Sequence, residues 1–125
     1  MMYQNPQTTR VIEHIKSEYS ATPEFLWPER SPDYCIFRHS DNRKWFALIG
    51  TVPPVTLGID GDQKAEIINL KFDKGEALDF AEASDHIFSA YHMNKNNWIT
   101  VLLDGSLPNG LIFELIQKSY LLTDK

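Results

Sequence analysis

A chain of 125 residues with 42% apolar and 23% charged residues has the size and composition of one soluble globular domain, residues 1–125, and not of a disordered segment. The net charge of −5 argues against a broad basic footprint for nucleic acid. A lone Cys35 excludes an internal disulfide and any multi-cysteine metal site.

The charge is unevenly placed. Between Asp60 and Asp85 three lysines stand against eight acids, a local balance of −5, while the remainder sums to zero. The opening MMYQNPQTTR lacks the apolar core of a secretion signal. The longest apolar run, WITVLL, is strand-sized and far short of a membrane span. The expected location is the cytoplasm.

The first expected element is a helix near Thr8 to Tyr19, capped by Thr8 or Thr9, with Val11, Ile12, Ile15 and Tyr19 on one stripe. In ATPEFLWPERSPDY the prolines at 23, 28 and 32 forbid a regular element but leave room for a short strand near Phe25. Phe25, Leu26 and Trp27 are expected to plug this loop onto the core. YCIFRH and KWFALIG flank a Ser-Asp-Asn turn and read as a β-hairpin. VPPVTLGIDGDQK is a second loop with an Asp-Gly turn. AEIINLKF follows as a strand, with Ile68, Leu70 and Phe72 on one face and Ile67, Asn69 and Lys71 on the other.

Asp73 to about Glu82 reads as a short helix, Asp73 capping it and Glu76 completing a capping-box-like pair. IFSAYHMN is irregular or strand-like, and WITVLL is a strand. After the DGS turn, Pro108 is expected at the first position of a last helix whose stripe is Leu111, Ile112, Leu115 and Ile116, extended by Tyr120. The order of elements predicts an α+β fold. A mostly antiparallel sheet of about five strands should pack on one face against the N- and C-terminal helices. No Gly-rich strand-to-helix turn is present to hold a nucleotide.

Four stretches carry a family resemblance: FRHSDNRKWFALI, LGIDGD, AYHMNKNNWITVLLDGS and PNGLIFELIQKSYLLT. Together they resemble the MmcQ/YjbR family of small bacterial proteins, most specifically from His92 to Tyr120. The resemblance implies a CyaY-like, type III secretion chaperone-like α/β fold, with no enzymatic activity and no cofactor. It also implies DNA binding, on the idea that two β-hairpin wings grip a duplex.

The residues themselves make the first wing basic. RHSDNRKW offers Arg38, Arg43 and Lys44 at a hairpin tip, with His39 beside them and Asp41 opposing; cations there can reach phosphates. The bland alternative is a solvated turn. The second wing, LGIDGDQK, carries two acids against one lysine and would repel phosphate. Strand parity places Trp98 and Thr100 on the sheet face away from Ile99 and Val101. Asn69 and Lys71 share that face, which is expected to be uncovered. An aromatic with neighbouring cations suits nucleic acid.

His92, Asn94 and Lys95 extend this candidate interface as the floor of a groove, or form a turn network anchored by Trp98. Asp73, Glu76, Asp79 and Glu82 wind around the outside of a helix and enclose no ligand set. No His pair has metal-ligand spacing, so no metal is expected. His92, Asp104 and Ser106, or Cys35 with His39, could be assembled into catalytic groups. Yet no nucleophile elbow or phosphate loop supports them. The leading reading is a non-enzymatic nucleic-acid-binding protein. The other is a protein-interaction or chaperone-like adaptor using an exposed sheet face or edge strand.

Overall fold

The computed structural model of the chain describes residues 3–73, 76, 79, 84–89 and 97–124. Helix α1 spans Pro6–Tyr19, with Asn5 accepting the Gln7 N–H on its side chain. Pro6 takes a first-turn position, where its missing N–H has no helical partner to lose. An Asn-Pro pair thus starts the helix ahead of Thr8 and Thr9, which lie within it. Val11 and Ile15 are fully buried, and Ile12 and Tyr19 pack half-buried beside them. Ser20 closes the helix in the left-handed conformation, at φ 52°.

The proline-rich segment runs back along the sheet. Glu24 makes a two-bond antiparallel bridge with Ile36, at 2.9 and 3.0 Å. Phe25 and Leu26 do not plug the core: they are 41% and 40% exposed. The bridge fixes the backbone at Glu24, and Phe25 and Leu26 follow it on the surface. Only Trp27 packs, edge-on against Trp45 with ring centroids 5.9 Å apart.

Strands β1 (Cys35–Arg38) and β2 (Trp45–Val52) form the expected hairpin, with a register irregularity between Phe37 and Arg38. A short 3-10 turn, Pro54–Leu57, leads by way of Gly58, at φ 71°, toward β3 (Ala65–Lys71). Glu76 and Asp79 are helical; the rest of the helix expected over 73–82 lies outside the described residues, apart from Asp73, which is exposed and not helical. Strands β4 (Ile87–Ser89) and β5 (Trp98–Leu102) follow, then helix α2 (Asn109–Thr123). Pro108 is the residue that caps α2, not its first helical position.

The sheet is antiparallel throughout, in the order β1-β2-β3-β5-β4. One face carries Cys35, Phe37, Ala47, Ile49, Ile68, Leu70, Ile99 and Val101, packed with Val11 and Ile15 of α1 and Ile112, Leu115 and Ile116 of α2. This is the predicted α+β architecture, with both long helices on one side. Ser119 of α2 ties the layers together. Its hydroxyl donates to the Phe46 carbonyl and accepts the Lys71 N–H, satisfying backbone groups of β2 and β3 at once.

The second face is not open as expected. Ile36, Leu48, Val52, Ile67, Asn69, Thr100 and Leu102 are all buried there. Leu57 and Ile59, from the β2–β3 connection, cover its Val52–Ile67–Leu102 cluster. The Tyr34 ring lies over Gly50, where an added Cβ would stand 2.8 Å from ring carbon. Asn69 and Thr100 tolerate burial because they face each other across β3 and β5 and hydrogen-bond at 2.6 Å.

Candidate nucleic-acid interface

In an antiparallel meander, successive turns fall at opposite ends of the sheet. The β1–β2 turn, the end of β3 and the start of β5 therefore share one end. Arg38 stands opposite Trp45 across β1 and β2, and Lys71 stands opposite Trp98 across β3 and β5. Directly opposed residues share a face. Parity puts both pairs on the second face, since Phe37, Leu70 and Ile99 point into the helical core. All four side chains are half-buried. The end of the sheet thus holds two cation–indole cross-strand pairs, with Trp27 against the first.

Arg43 and Lys44 lie exposed at the tip of the same hairpin. Arg43 adopts the left-handed conformation at φ 64°. The turn is held by Asn42, whose N–H donates to Asp41 and whose side chain accepts the Lys44 N–H. The Asn42 amide also donates to the Thr123 carbonyl at 2.8 Å, docking the tip onto the end of α2. A tip braced in this way presents its cations without first having to be ordered.

Other charges temper that end. Arg38 is gripped by Glu24 through two bonds of 2.7 and 2.9 Å, so its charge is matched. Asp41 and Asp124 are exposed beside the tip. The acid-bearing turn with Asp60 and Asp62 belongs to the β2–β3 connection, at the opposite end of the sheet. The expected sites Arg38, Arg43, Lys44, Lys71 and Trp98 are therefore brought to one end. His92, Asn94 and Lys95 lie outside the described residues.

The described groups considered for catalysis each have a local role. Cys35 is fully buried, and burial pushes its thiol up to about 11. Its sulfur lies 3.6 Å from the Tyr3 hydroxyl, which donates to the Asp33 carbonyl; burial also raises the Tyr3 phenol. His39 bonds Thr123 instead. Asp104 accepts the Ser106 N–H, an Asx turn before α2. His92 lies outside the described residues. Sequence reasoning missed Trp27 and Trp45 as companions of the cations; the two Trp letters flanking the basic tip were the available signal.

A family model described as YjbR matches residues 17–122, most of the chain. The chain belongs to the YjbR family. Among relatives of this YjbR chain, the protein YyaQ of Bacillus subtilis (strain 168) is 38% identical over 113 residues, covering 90% of this chain and 94% of its own. A crystal structure of a Pseudomonas syringae protein superposes with a TM-score of 0.87 at 41% identity, covering 92% of this chain and 97% of that one. The DUF419 protein DR2400 of Deinococcus radiodurans superposes with a TM-score of 0.66 at 26% identity, over 91% and 78% of the two chains. No helix among the described residues is long and apolar enough to cross a membrane.

Proposed function

We propose that this YjbR protein is a non-catalytic cytoplasmic binding module that contacts the phosphate backbone of DNA with the hairpin end of its sheet. The observation that carries this reading is the projection of Arg43 and Lys44 from a braced hairpin tip, at the end of the sheet that also holds Lys71 opposite Trp98. Cations near aromatic residues suit a sugar-phosphate chain, with Arg43, Lys44 and Lys71 meeting phosphates and the indoles offering apolar surface. The overall charge of −5 limits contact to this end, with the Asp60–Asp62 turn directed away from it. One hairpin, and not two wings, makes the contact. Phosphate contacts alone carry no sequence preference.

The test is equilibrium binding of a labelled duplex at low and raised salt. Binding should weaken as salt rises, and Arg43→Glu with Lys44→Glu should reduce both the affinity and the salt slope. Loss of two phosphate contacts lowers that slope by roughly 2. No binding at low salt, where charge attraction is strongest, contradicts the reading.

A second reading, a protein-interaction module, is favoured by the adjacent exposed side chains of Phe25 and Leu26. The second face is buried and Glu24 bridges the β1 edge, so beside β1 this loop is the exposed apolar surface. Phe25→Ser with Leu26→Ser would then abolish capture of the partner and leave DNA binding unchanged.

A further inference from the structure

At the root of the hairpin, His39 is 3% exposed and sits between Phe46 and Tyr120 at ring-centroid distances of 5.2 and 4.2 Å. Its Nε2 lies 2.7 Å from the Thr123 hydroxyl oxygen. That hydroxyl has one proton, and it is directed back along α2, to the carbonyls of Ser119 at 2.8 Å and Tyr120 at 3.1 Å. Thr123 can then only accept from His39, so Nε2 carries a ring proton, and in the neutral ring Nδ1 is the nitrogen with the lone pair.

Nδ1 faces acceptors. Asp124 Oδ1 lies 3.8 Å away, beyond hydrogen-bonding distance. One nitrogen of His39 and one oxygen each of Asp41 and Asp124 all lie within 4.8 Å of one another. Three electron-pair donors converge with no proton assigned among them, and the group at their centre is an almost wholly buried imidazole, not a solvated acid. The C-terminal end of α2 adds its negative dipole end to the same spot.

We propose that His39 Nδ1, Asp41 and Asp124 form a binding site for a divalent first-row transition ion of the zinc class. Imidazole nitrogen with carboxylate oxygen is a ligand set such ions accept, at roughly 2.0–2.2 Å per bond. Both carboxylates are exposed, so their side chains can turn inward while the packed imidazole stays fixed. The Thr123 hydroxyl is the outer partner that orients the ring, as hydrogen bonds to the second nitrogen of metal-bound histidines do. Three protein ligands leave a coordination position for water. The ion would staple the β1–β2 hairpin to the end of α2. The site adjoins the hairpin tip, and its test reads ion binding whether or not the tip contacts DNA.

The experiment is a calorimetric titration of the chelator-treated full chain with Zn2+, repeated on Asp41→Asn and Asp124→Asn. Cobalt absorption gives a second readout of imidazole–carboxylate coordination. Both substitutions are at exposed positions, and circular dichroism confirms that the variants fold. The expected result is one ion per chain, with affinity falling about tenfold or more in each variant. Absence of Zn2+ binding would mean that a proton alone fills the site and would overturn the proposal. So would binding unchanged in both variants, which would place the ion elsewhere.

Discussion

His14 stacks flat on Phe113, with ring centroids 3.7 Å apart and planes 4° from parallel. Burial lowers its pKa from 6.5, as does Arg10, while Glu18 pulls the other way. The folded state therefore prefers the neutral ring. The stability this contributes is fully present above pH 6.5 and is lost as pH falls through the lowered folded value. An NMR titration of the imidazole signals should find the His14 midpoint below 6.5, and a midpoint at or above it would contradict this packing. Cys35 has the opposite linkage: burial raises its thiol from 9.0 to about 11. Stability from the neutral thiol is present below pH 9 and is lost as pH rises through about 11. Thermal melts should thus fall over that interval, less steeply in Cys35→Ala, and a disulfide reagent at pH 8 should react slowly until the protein unfolds. At this scale the sequence was a partial guide. A small thiol between Tyr34 and Ile36 in a strand is buried, the usual state of a strand cysteine. The partner of His39 lies 84 residues away, and no local pattern could have joined them.

Among the elements, α2 is bound to the sheet by more than its apolar stripe. The Ser119 hydroxyl serves the Phe46 carbonyl and the Lys71 N–H together. Ser119→Ala would strand both groups in a buried layer, a cost of about 2 kcal/mol. Urea unfolding should show a lower midpoint with an unchanged slope; a midpoint equal to that of wild type would mean that the bridge contributes nothing. Strand parity was legible in AEIINLKF, because a period of two separates Ile68 and Leu70 from Ile67, Asn69 and Lys71. Burial of the second face was not. Asn69 and Thr100 are polar letters, and their burial follows from a cross-strand bond that a single strand does not reveal. Likewise Phe25 and Leu26 read as core residues by type, but they stand exposed just after the Glu24–Ile36 bridge. The stripe of α1 survived, although its start moved to Asn5 and Pro6, since a cap depends on which side chain reaches a free N–H.

Across the whole molecule, antiparallel topology converts a one-dimensional charge record into polarity. Arg43 and Lys44 occupy one end of the sheet and the Asp60–Asp62 turn the other. Of the acidic segment, the Asp60–Asp62 turn lies away from the hairpin, while Asp73 follows Lys71 at the hairpin end, where Asp41 and Asp124 are also exposed. The order of elements and the alternation of their faces sufficed to read an α+β sheet with helices on one side. The meeting of Arg38 with Trp45 and Lys71 with Trp98 needed the strand order and the irregular register of the hairpin. The most direct measurement is an NMR titration of isotope-labelled protein with a short DNA duplex at low salt. The account predicts that amide shifts concentrate at Asn42, Arg43, Lys44 and Trp45, extend to Lys71 and Trp98, and reverse when salt is added. Shifts absent throughout, or confined to Phe25 and Leu26 or to the Asp60–Asp62 turn, would contradict it.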